Sequence, residues 1–208
     1  MITESEREQN IARVVESGRV CFLKYGIEKT MQVQIAEYAG LSSKSVKRYF
    51  QSRLLLVHAV SKEITANWQA QISANLHKYD TDNAAGLVKL QCFLKVFARV
   101  ILNDYENMIL IQTADYYSRQ WTDKKEDYWS QFRKSAYIRK ELIECLETGM
   151  ADGSIKISES PDIVVMTIGN IVAGHMERIA NEIYFGNITC ALGKRILDKT
   201  IDKIEFFL

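Results

Sequence analysis

Three basic residues, Lys44, Lys47 and Arg48, stand close together in the chain and are interleaved with the hydroxyl side chains of Ser43 and Ser45. Ammonium, guanidinium and hydroxyl groups donate hydrogen bonds to phosphate oxygens and to the edges of bases. A cluster of this kind predicts recognition of a nucleic acid, provided that the surrounding elements hold its side chains on one exposed surface.

The residues before the cluster predict a short helix followed by a tight turn. Ile35, Ala36 and Ala39 form an apolar stripe at helical spacing. Gly40 follows at the position where a left-handed residue ends a helix at little steric cost. The basic cluster therefore begins directly after a turn that redirects the chain.

A second short helix is predicted to carry the cluster itself. The hydroxyl of Ser42 or Ser43 can cap this helix by accepting a hydrogen bond from an otherwise unpaired backbone N–H. Val46 and Phe50 are four residues apart and face the core. Tyr49 and the basic residues are left on the outer faces. A short helix with a buried inner face and a basic, hydroxyl-rich outer face suits the major groove of DNA.

The order and spacing of these residues resemble the DNA-binding region of the TetR (tetracycline repressor) family of bacterial transcription regulators. The specific resemblance covers roughly residues 5–60, and chain length and helical character extend it more weakly to the whole chain. The matching residues are Tyr25-Gly26, Thr30, Ile35-Ala36, Ala39-Gly40-Leu41-Ser42, Ser45-Val46, Tyr49-Phe50 and Ser52-Arg53.

The resemblance implies that the third helix is the recognition helix. Ser45, Lys47 and Tyr49 match positions that usually contact DNA, and Arg53 matches a basic position at the start of the fourth helix. At Lys44 and Lys47 the chain departs from the family, whose members often have Gly and an aromatic residue there. The predicted DNA-binding residues are Thr30, Gln32, Ser43, Lys44, Ser45, Lys47, Arg48, Tyr49 and Arg53.

Composition agrees with a helical globular protein that carries a local basic patch. The chain has 208 residues, of which 25% are charged and 47% hydrophobic. Pro161 is its only proline, which favours long helices. The net charge is only +1, but residues 1–60 contain nine Lys and Arg against six Asp and Glu. Phosphate binding requires such a local excess and not a basic protein as a whole.

Hydrophobic periodicity predicts an all-α fold of about nine helices and no strand. Ser5 with Glu8 is the expected capping box of the first helix, and Thr30 the expected cap of the second. The resemblance implies a helix-turn-helix DNA-binding domain over residues 1–52, and a ligand-binding and dimerisation domain over residues 53–208. The predicted helices cover residues 5–25, 30–39, 43–50, 54–79, 84–103, 104–118, 123–150, 161–185 and 189–207.

Large aromatic residues concentrate in the middle of the chain. Any one of them is compatible with ordinary core packing, but as a set they suit a pocket for an apolar or aromatic small molecule with a few polar groups. Family members bind effectors there, between the fourth and eighth helices. The predicted ligand-binding residues are Trp68, Phe93, Phe97, Tyr105, Gln112, Asp115, Tyr116, Trp121, Trp129 and Asn170, and Asn103 is a further polar candidate.

The last two predicted helices carry an apolar stripe that predicts a homodimer. Gly169, Ala173 and Gly174 would permit close approach of a partner helix. The alternative is that the stripe is core within one subunit. A two-fold dimer would present two recognition helices to successive major grooves. The stripe contains Ile163, Val164, Met166, Thr167, Asn170, Ile171, Gly174, His175 and Arg178.

Other motifs point away from catalysis, metals and membranes. The sequence has no Gly-rich phosphate loop and no G-x-S-x-G motif, and His58, His77 and His175 are far apart. We therefore expect no enzyme activity, cofactor or metal, although His175 could line the cavity or the dimer interface. The four scattered cysteines are expected to be buried, reduced thiols. A polar N-terminus and the lack of an apolar run near about 20 residues predict a cytoplasmic protein with no membrane partner.

Together, the residues and the resemblance imply a ligand-responsive, sequence-specific transcriptional regulator. The family usually acts as repressors that an effector releases from an inverted-repeat operator in double-stranded DNA. An effector is expected to shift the fourth helix and change the spacing of the two recognition helices. Two alternatives stay open: a small-molecule-binding helical protein whose helix-turn-helix is structural only, and a protein-interaction module that uses the C-terminal helices. The outward basic cluster disfavours the first alternative.

Overall fold

The chain is helical throughout the residues that its computed structural model describes, which are 3–79, 83–121 and 135–204. Over these ranges it forms nine α-helices and no strand, which confirms the predicted all-α fold. The helices are α1 (Glu4–Tyr25), α2 (Gln32–Ala39), α3 (Ser43–Tyr49), α4 (Arg53–Leu76), α5 (Gly86–Asn103), α6 (Tyr105–Trp121), α7 (Ala136–Asp152), α8 (Pro161–Tyr184) and α9 (Cys190–Asp202).

Two of the predicted helix starts were wrong in their capping residues. The capping box of α1 is formed by Thr3 and Glu6, because the Thr3 hydroxyl accepts from the Glu6 amide at 3.2 Å and the Glu6 carboxylate accepts from the Thr3 amide at 2.7 Å. The same S/T-x-x-E spacing thus occurs two residues before the predicted Ser5 box. The N-cap of α2 is Met31, whose amide donates to the Gln34 side chain at 2.7 Å, and not Thr30.

Other helix ends follow the sequence signals more closely. Ser42 caps α3, because its hydroxyl accepts from the Ser45 amide at 3.1 Å. Ser160 caps α8, with Pro161 in the first turn, where the missing N–H is harmless. The predicted helix over 123–150 is seen as α7 from Ala136 onward, and its earlier part lies outside the described residues.

Backbone packing divides the chain into two compact units: residues 1–66 with 110–129, and residues 67–109 with 130–208. Both α4 and α6 contribute residues to each unit. In the first unit α1 packs on α2, and α2 packs on α3. The buried side chains of this unit include Val14, Phe22, Ile35, Val46 and Val57.

The second unit is centred on α5, which packs against α7, α8 and α9. The strong apolar stripe of α5 is buried because three helices surround it. The backbone amides that begin this helix are capped from a distant loop: the Gly86 amide donates to the Asp152 carboxylate at 2.7 Å, and the Leu87 amide donates to the Ser154 hydroxyl at 3.2 Å. The core of this unit includes Leu90, Phe93, Ile101, Ile168, Met176 and Leu197.

Helix α8 corrects the expectation that no apolar segment approaches membrane-spanning length. Among the described residues it is the one helix that is long and apolar enough, by length and composition, to cross a bilayer. In the structure it packs within the second unit, where Val164, Ile168, Val172 and Met176 are buried. A core helix passes the same test, so length and composition alone are weak grounds for a membrane span.

The thiols are less uniformly buried than predicted. Cys21 is buried, whereas Cys92, Cys145 and Cys190 are half-buried, and all four are free of disulfides. Burial raises the pKa of Cys21 and Cys92, and it raises the pKa of Cys145 to about 12. At neutral pH these three groups are therefore protonated thiols, which are poor nucleophiles.

Candidate functional site

The turn between α2 and α3 holds the basic helix in a defined direction. Gly40 has φ 62° and ψ 37°, a left-handed conformation that L side chains rarely adopt. The following amide, from Leu41, donates to the Ala36 carbonyl at 3.0 Å. The Arg13 guanidinium from α1 donates to the Ala39 carbonyl. Three backbone features and one side chain therefore fix where α3 begins.

The outer face of α3 is basic, as predicted. Val46 is buried and anchors the helix, while Lys44, Lys47 and Arg48 are exposed. Among the described residues, neither Lys44 nor Lys47 has a hydrogen-bond or ion-pair partner. Two ammonium groups are thus held at the surface with their donors available for a ligand.

The remaining predicted residues of α3 are partly held by contacts within the chain. The Arg48 guanidinium lies 5.1 Å from the centre of the Tyr49 ring, and its Nη2 donates to the Tyr49 hydroxyl at 3.2 Å. Ser45 is half-buried, with its hydroxyl 3.0 Å from that of Ser42. On α2, the Gln32 side chain donates to the Ser43 carbonyl at 2.8 Å, which ties the starts of α2 and α3 together.

Thr30 is the one predicted DNA-binding residue whose side chain the structure removes from the surface. It is only 1% exposed, and its hydroxyl donates toward the carbonyls of Cys21 (3.1 Å) and Gly26 (2.7 Å). This residue fastens the loop after α1 to the end of that helix. Its assignment to the DNA-contacting side chains is therefore corrected to a structural role.

Arg53, at the start of α4, also makes contacts that the sequence did not indicate. Its Nη1 donates to the Glu28 carbonyl at 2.9 Å and its Nη2 to the Thr30 carbonyl at 2.8 Å. The guanidinium therefore joins α4 to the loop that precedes α2. Its contact with DNA stays a prediction.

A lysine next to two tyrosines adds a fixed charge to the first unit. Lys24 donates to the Tyr38 hydroxyl at 3.1 Å and lies 5.1 Å from the centre of the Tyr25 ring. The hydrogen bonds to Tyr38 and Tyr25 raise the pKa of Lys24. This residue stays cationic at neutral pH and links the end of α1 to α2.

The second unit contains a cavity of about 460 Å³, a size typical of small-molecule sites. Its walls come from α5, α7 and α8, and most of them are apolar. The lining residues are Phe93, Leu94, Phe97, Ile138, Arg139, Leu142, Asp162, Val165, Met166, Gly169, Asn170 and Val172.

Three of the predicted ligand-binding residues line this cavity: Phe93, Phe97 and Asn170. The two phenylalanines lie one helical turn apart on α5, with ring centres 6.4 Å apart and nearly parallel planes. The cavity was placed correctly on α5, because its stripe is continuous. Its α7 wall, formed by Ile138 and Leu142, was missed, although their spacing of four residues is an available signal.

The other predicted ligand-binding residues do not line the cavity. Trp68 is fully buried, and its indole N–H donates to the Asp104 carboxylate at 2.7 Å. Tyr116 is 66% exposed, so it forms no pocket wall. The side chain of Trp121 and the whole of Trp129 lie outside the described residues. Tyr105, Gln112 and Asp115 are also absent from the lining, and Asp115 is buried in the first unit.

An ion pair between two helices forms the charged part of the cavity lining. The Arg139 Nη2 on α7 pairs with the Asp162 carboxylate at the start of α8. Their side chains are 52% and 59% exposed, respectively. The pair is therefore in contact with both solvent and the cavity. The sequence offered no signal for this pairing, because its partners are on different helices.

The exposed surface of α8 and α9 is apolar. Ile163 and Met166 on α8, and Leu192 and Ile196 on α9, are large side chains exposed to solvent. A groove along this surface is lined by Ile171, Leu192, Arg195, Ile196, Lys199, Thr200 and Lys203. His175 does not line the cavity, and its Nδ1 lies 2.8 Å from the Thr200 hydroxyl. The predicted dimerisation stripe is thus exposed in one subunit.

Comparison with known proteins finds similarity at the level of structure. No family model and no curated protein matches the sequence. A TetR-family transcriptional regulator from Rhodococcus sp. has a similar structure, with a TM-score of 0.69 and 17% identity over 95% of this chain and 99% of that chain. FadR from Bacillus subtilis, solved with stearoyl-CoA, gives a TM-score of 0.68 and 14% identity over 91% and 96%.

A third solved structure gives the same result. The TetR-family regulator PfmR from Thermus thermophilus gives a TM-score of 0.63 and 16% identity over 92% of this chain and 96% of that chain. In each case the similarity runs through both units and not only through the helix-turn-helix. The chain therefore has the fold of the TetR-family transcriptional regulators.

Proposed function

We propose that this protein is a homodimeric, ligand-responsive transcriptional regulator of the TetR family that binds double-stranded DNA through α3. The observation that carries the proposal is the outer face of α3. Lys44 and Lys47 are exposed there without partners among the described residues, while Val46 buries the opposite face. A helix-turn-helix that served packing alone would not require this arrangement.

The proposed DNA-contacting set follows from the positions of the side chains. Lysine ammonium groups suit phosphate oxygens and guanine edges, and the planar Arg48 guanidinium suits bidentate contact. Tyr49 holds the Arg48 guanidinium in place. The proposed set is Gln32, Ser43, Lys44, Ser45, Lys47, Arg48, Tyr49 and Arg53, and it excludes the buried Thr30.

We further propose that two copies associate through α8 and α9. These helices expose Ile163, Met166, Leu192 and Ile196, and a large exposed apolar surface is typical of an association site. A two-fold dimer would place two copies of α3 about 34–36 Å apart, one turn of DNA, and so would recognise an inverted repeat.

The cavity of the second unit is the proposed effector site. The similar FadR structure contains stearoyl-CoA, which has a long apolar chain. A cavity lined by Phe93, Phe97, Leu142 and Val165 suits an apolar body of this general kind. We propose that the effector lowers operator affinity, so that the protein acts as a repressor. Such an effector shifts the equilibrium only by its difference in affinity for the two states.

Helix α4 is the proposed link between effector and DNA. It starts directly after the recognition helix, and it contributes residues to both units. Its Arg53 end is joined by two hydrogen bonds to the loop before α2. A small displacement of α4 would therefore move the helix-turn-helix as a body. We propose a cytoplasmic location and no catalytic activity, as expected for a regulator of transcription.

The decisive experiment is selection of bound DNA from a random duplex pool at a stated salt concentration. We expect recovery of an inverted repeat. Lys47→Glu should then abolish binding to that repeat, because it places a negative charge against the phosphates. Lys62→Glu, an equal charge change at an exposed position of α4, is the matched control and should bind nearly normally. Unchanged binding by Lys47→Glu would contradict the assignment of α3.

A further inference from the structure

We propose that the effector is an amphiphile with one anionic group on an apolar body, and that Arg139 binds the anionic group. This inference rests on the proposed role of the cavity as the effector site and adds the chemistry of the ligand. It is carried by the lining of the cavity, by the partners of Arg139, and by the positions of Arg139 and Asp162 on their helices.

The lining leaves room for an apolar body and little else. Phe93, Leu94 and Phe97 supply one wall from α5, and Ile138 and Leu142 supply a second from α7. A β-carbon placed on Gly169 of α8 would meet no atom within 4 Å, so the third wall is open at that point. Apolar walls of this extent favour a hydrocarbon chain or ring system through burial of apolar surface.

Charge enters the lining at one place only. Arg139 and Asp162 are its two charged residues, and they pair with each other. The guanidinium uses Nη2 for this contact, and its other N–H groups have no partner among the described residues. Because the guanidinium carries five donors in a fixed plane, it can accept a second anion or exchange one anion for another.

The two residues of the pair differ in what happens when it opens. Asp162 is the second residue of α8, where the partial positive charge of a helix N-terminus stabilises a carboxylate. Arg139 is the fourth residue of α7, near a second N-terminus, where a positive charge gains nothing from the helix. Asp162 can therefore lose its partner at low cost, whereas Arg139 requires an anion.

This asymmetry selects the charge of the ligand. An anionic ligand that displaces Asp162 leaves Arg139 paired and leaves the carboxylate at a favourable helix position. A cationic ligand that displaces Arg139 leaves the guanidinium unpaired near the start of α7. The first exchange loses no ion pair and the second loses one, so the site favours a carboxylate or a similar anion over an amine.

Three probes with the same chain and different head groups test this directly: decanoate, decylamine and decanol, each below its micellar concentration. Binding to the full-length protein is measured by isothermal titration calorimetry at pH 7. We expect decanoate to bind about tenfold more tightly than decanol, since hydrogen bonds to charged groups exceed neutral ones. Decylamine should bind more weakly than decanol.

Variants at the same positions separate the head group from the body. Arg139→Gln should remove the advantage of decanoate and leave decanol affinity within about twofold, whereas Asp162→Asn should strengthen decanoate binding by removing its competitor. Arg139→Lys should restore only part of the advantage, because an ammonium lacks the bidentate fork. Gly169→Leu should weaken all three probes by filling the open wall. Far-UV circular dichroism checks that each variant is folded.

The inference is overturned if decanoate does not bind, if the three probes bind equally, or if decylamine binds best. It is also overturned if Arg139→Gln weakens decanol as much as decanoate, because Arg139 would then support the wall and not the head group. Operator binding is measured separately by DNA selection. Failure of that selection would contradict the proposed function, whereas probes that bind equally would contradict only the ligand chemistry.

Discussion

Gly86, the first residue of α5, lies directly against Gly149 near the end of α7. A β-carbon at Gly86 would overlap the backbone nitrogen and Cα of Gly149, and it would stand 2.7 Å from the Cys145 carbonyl oxygen. No flexible side chain is available to move aside, because the neighbouring atoms are backbone. The two glycines are therefore required for the closest helix contact of the second unit.

The first prediction concerns this contact. Gly86→Ala should lower the free energy of unfolding by about 2 kcal/mol or more, because overpacking against backbone forces the helices apart. Urea denaturation followed by circular dichroism measures the effect. Gly169→Ala is the matched control, since its β-carbon meets open space, and it should be neutral or slightly stabilising through better helix propensity. Equal effects of the two substitutions would contradict the contact.

The second prediction follows from the loop that caps α5. Hydrogen bonds from the Ser154 side chain and the backbone amides of Gly86 and Ser154 hold the pKa of Asp152 below its usual value. Because this pKa is lower in the folded state, ionised Asp152 stabilises the fold above about pH 4, its unfolded value. That contribution is lost as the pH falls through the folded pKa.

Asp152→Asn should therefore be less stable than the wild-type protein at neutral pH, and the difference should shrink under acid conditions. Thermal unfolding at a series of pH values from neutral to about pH 3 follows this convergence. Glu159→Gln removes an exposed carboxylate from the same inter-helix segment and serves as the control. A difference for Asp152→Asn that did not change with pH would show that its effect is steric.

The third prediction separates structure from DNA contact at Arg53. Arg53→Met removes two hydrogen bonds to backbone carbonyls and should lower the free energy of unfolding by about 1–2 kcal/mol. If its main role is this tie, the dependence of operator affinity on salt should keep its slope. Lys44→Met should do the reverse, with normal stability and a flatter slope, because each lost phosphate contact removes roughly 0.9 from it. A flattened slope for Arg53→Met would place its guanidinium on a phosphate.

The fourth prediction tests the proposed dimer. Leu192→Glu places a charge in the exposed apolar surface of α8 and α9 and should convert the dimer to a monomer in sedimentation velocity. Operator affinity should fall with it, because a single α3 reads only half of an inverted repeat. Val88→Glu is the matched control, since Val88 is similarly exposed on α5. A protein that sediments as a monomer before any substitution would contradict the proposal.

Local sequence signals were sufficient for the helices and for the basic face of α3. Val46 faces inward and Lys47 outward because a helix of period 3.6 separates positions that differ by one residue. Gly40 marks the turn because few other residues tolerate its positive φ. The fold class and most helix limits followed from the same rules, since these depend on neighbours within a few positions along the chain.

Tertiary structure decided which groups meet across larger distances. Thr30 matches a family motif, yet its hydroxyl bonds to the Cys21 carbonyl inside the first unit. Tyr116 belongs to an aromatic cluster by composition, yet it is exposed. Periodicity indicates which face of a helix is apolar, but it does not say which element covers that face.

The cavity shows the same division. Phe93 and Phe97 were recognised because their spacing aligns them on one side of α5. The pairing of Arg139 with Asp162 was not, because charged residues on two exposed helix positions give no signal of their partner. The sequence by itself determined the helices, the turn and the charge of α3, which are local properties. Only the packing of α5, α7 and α8 decided the cavity and its ion pair, because these depend on contacts between distant segments.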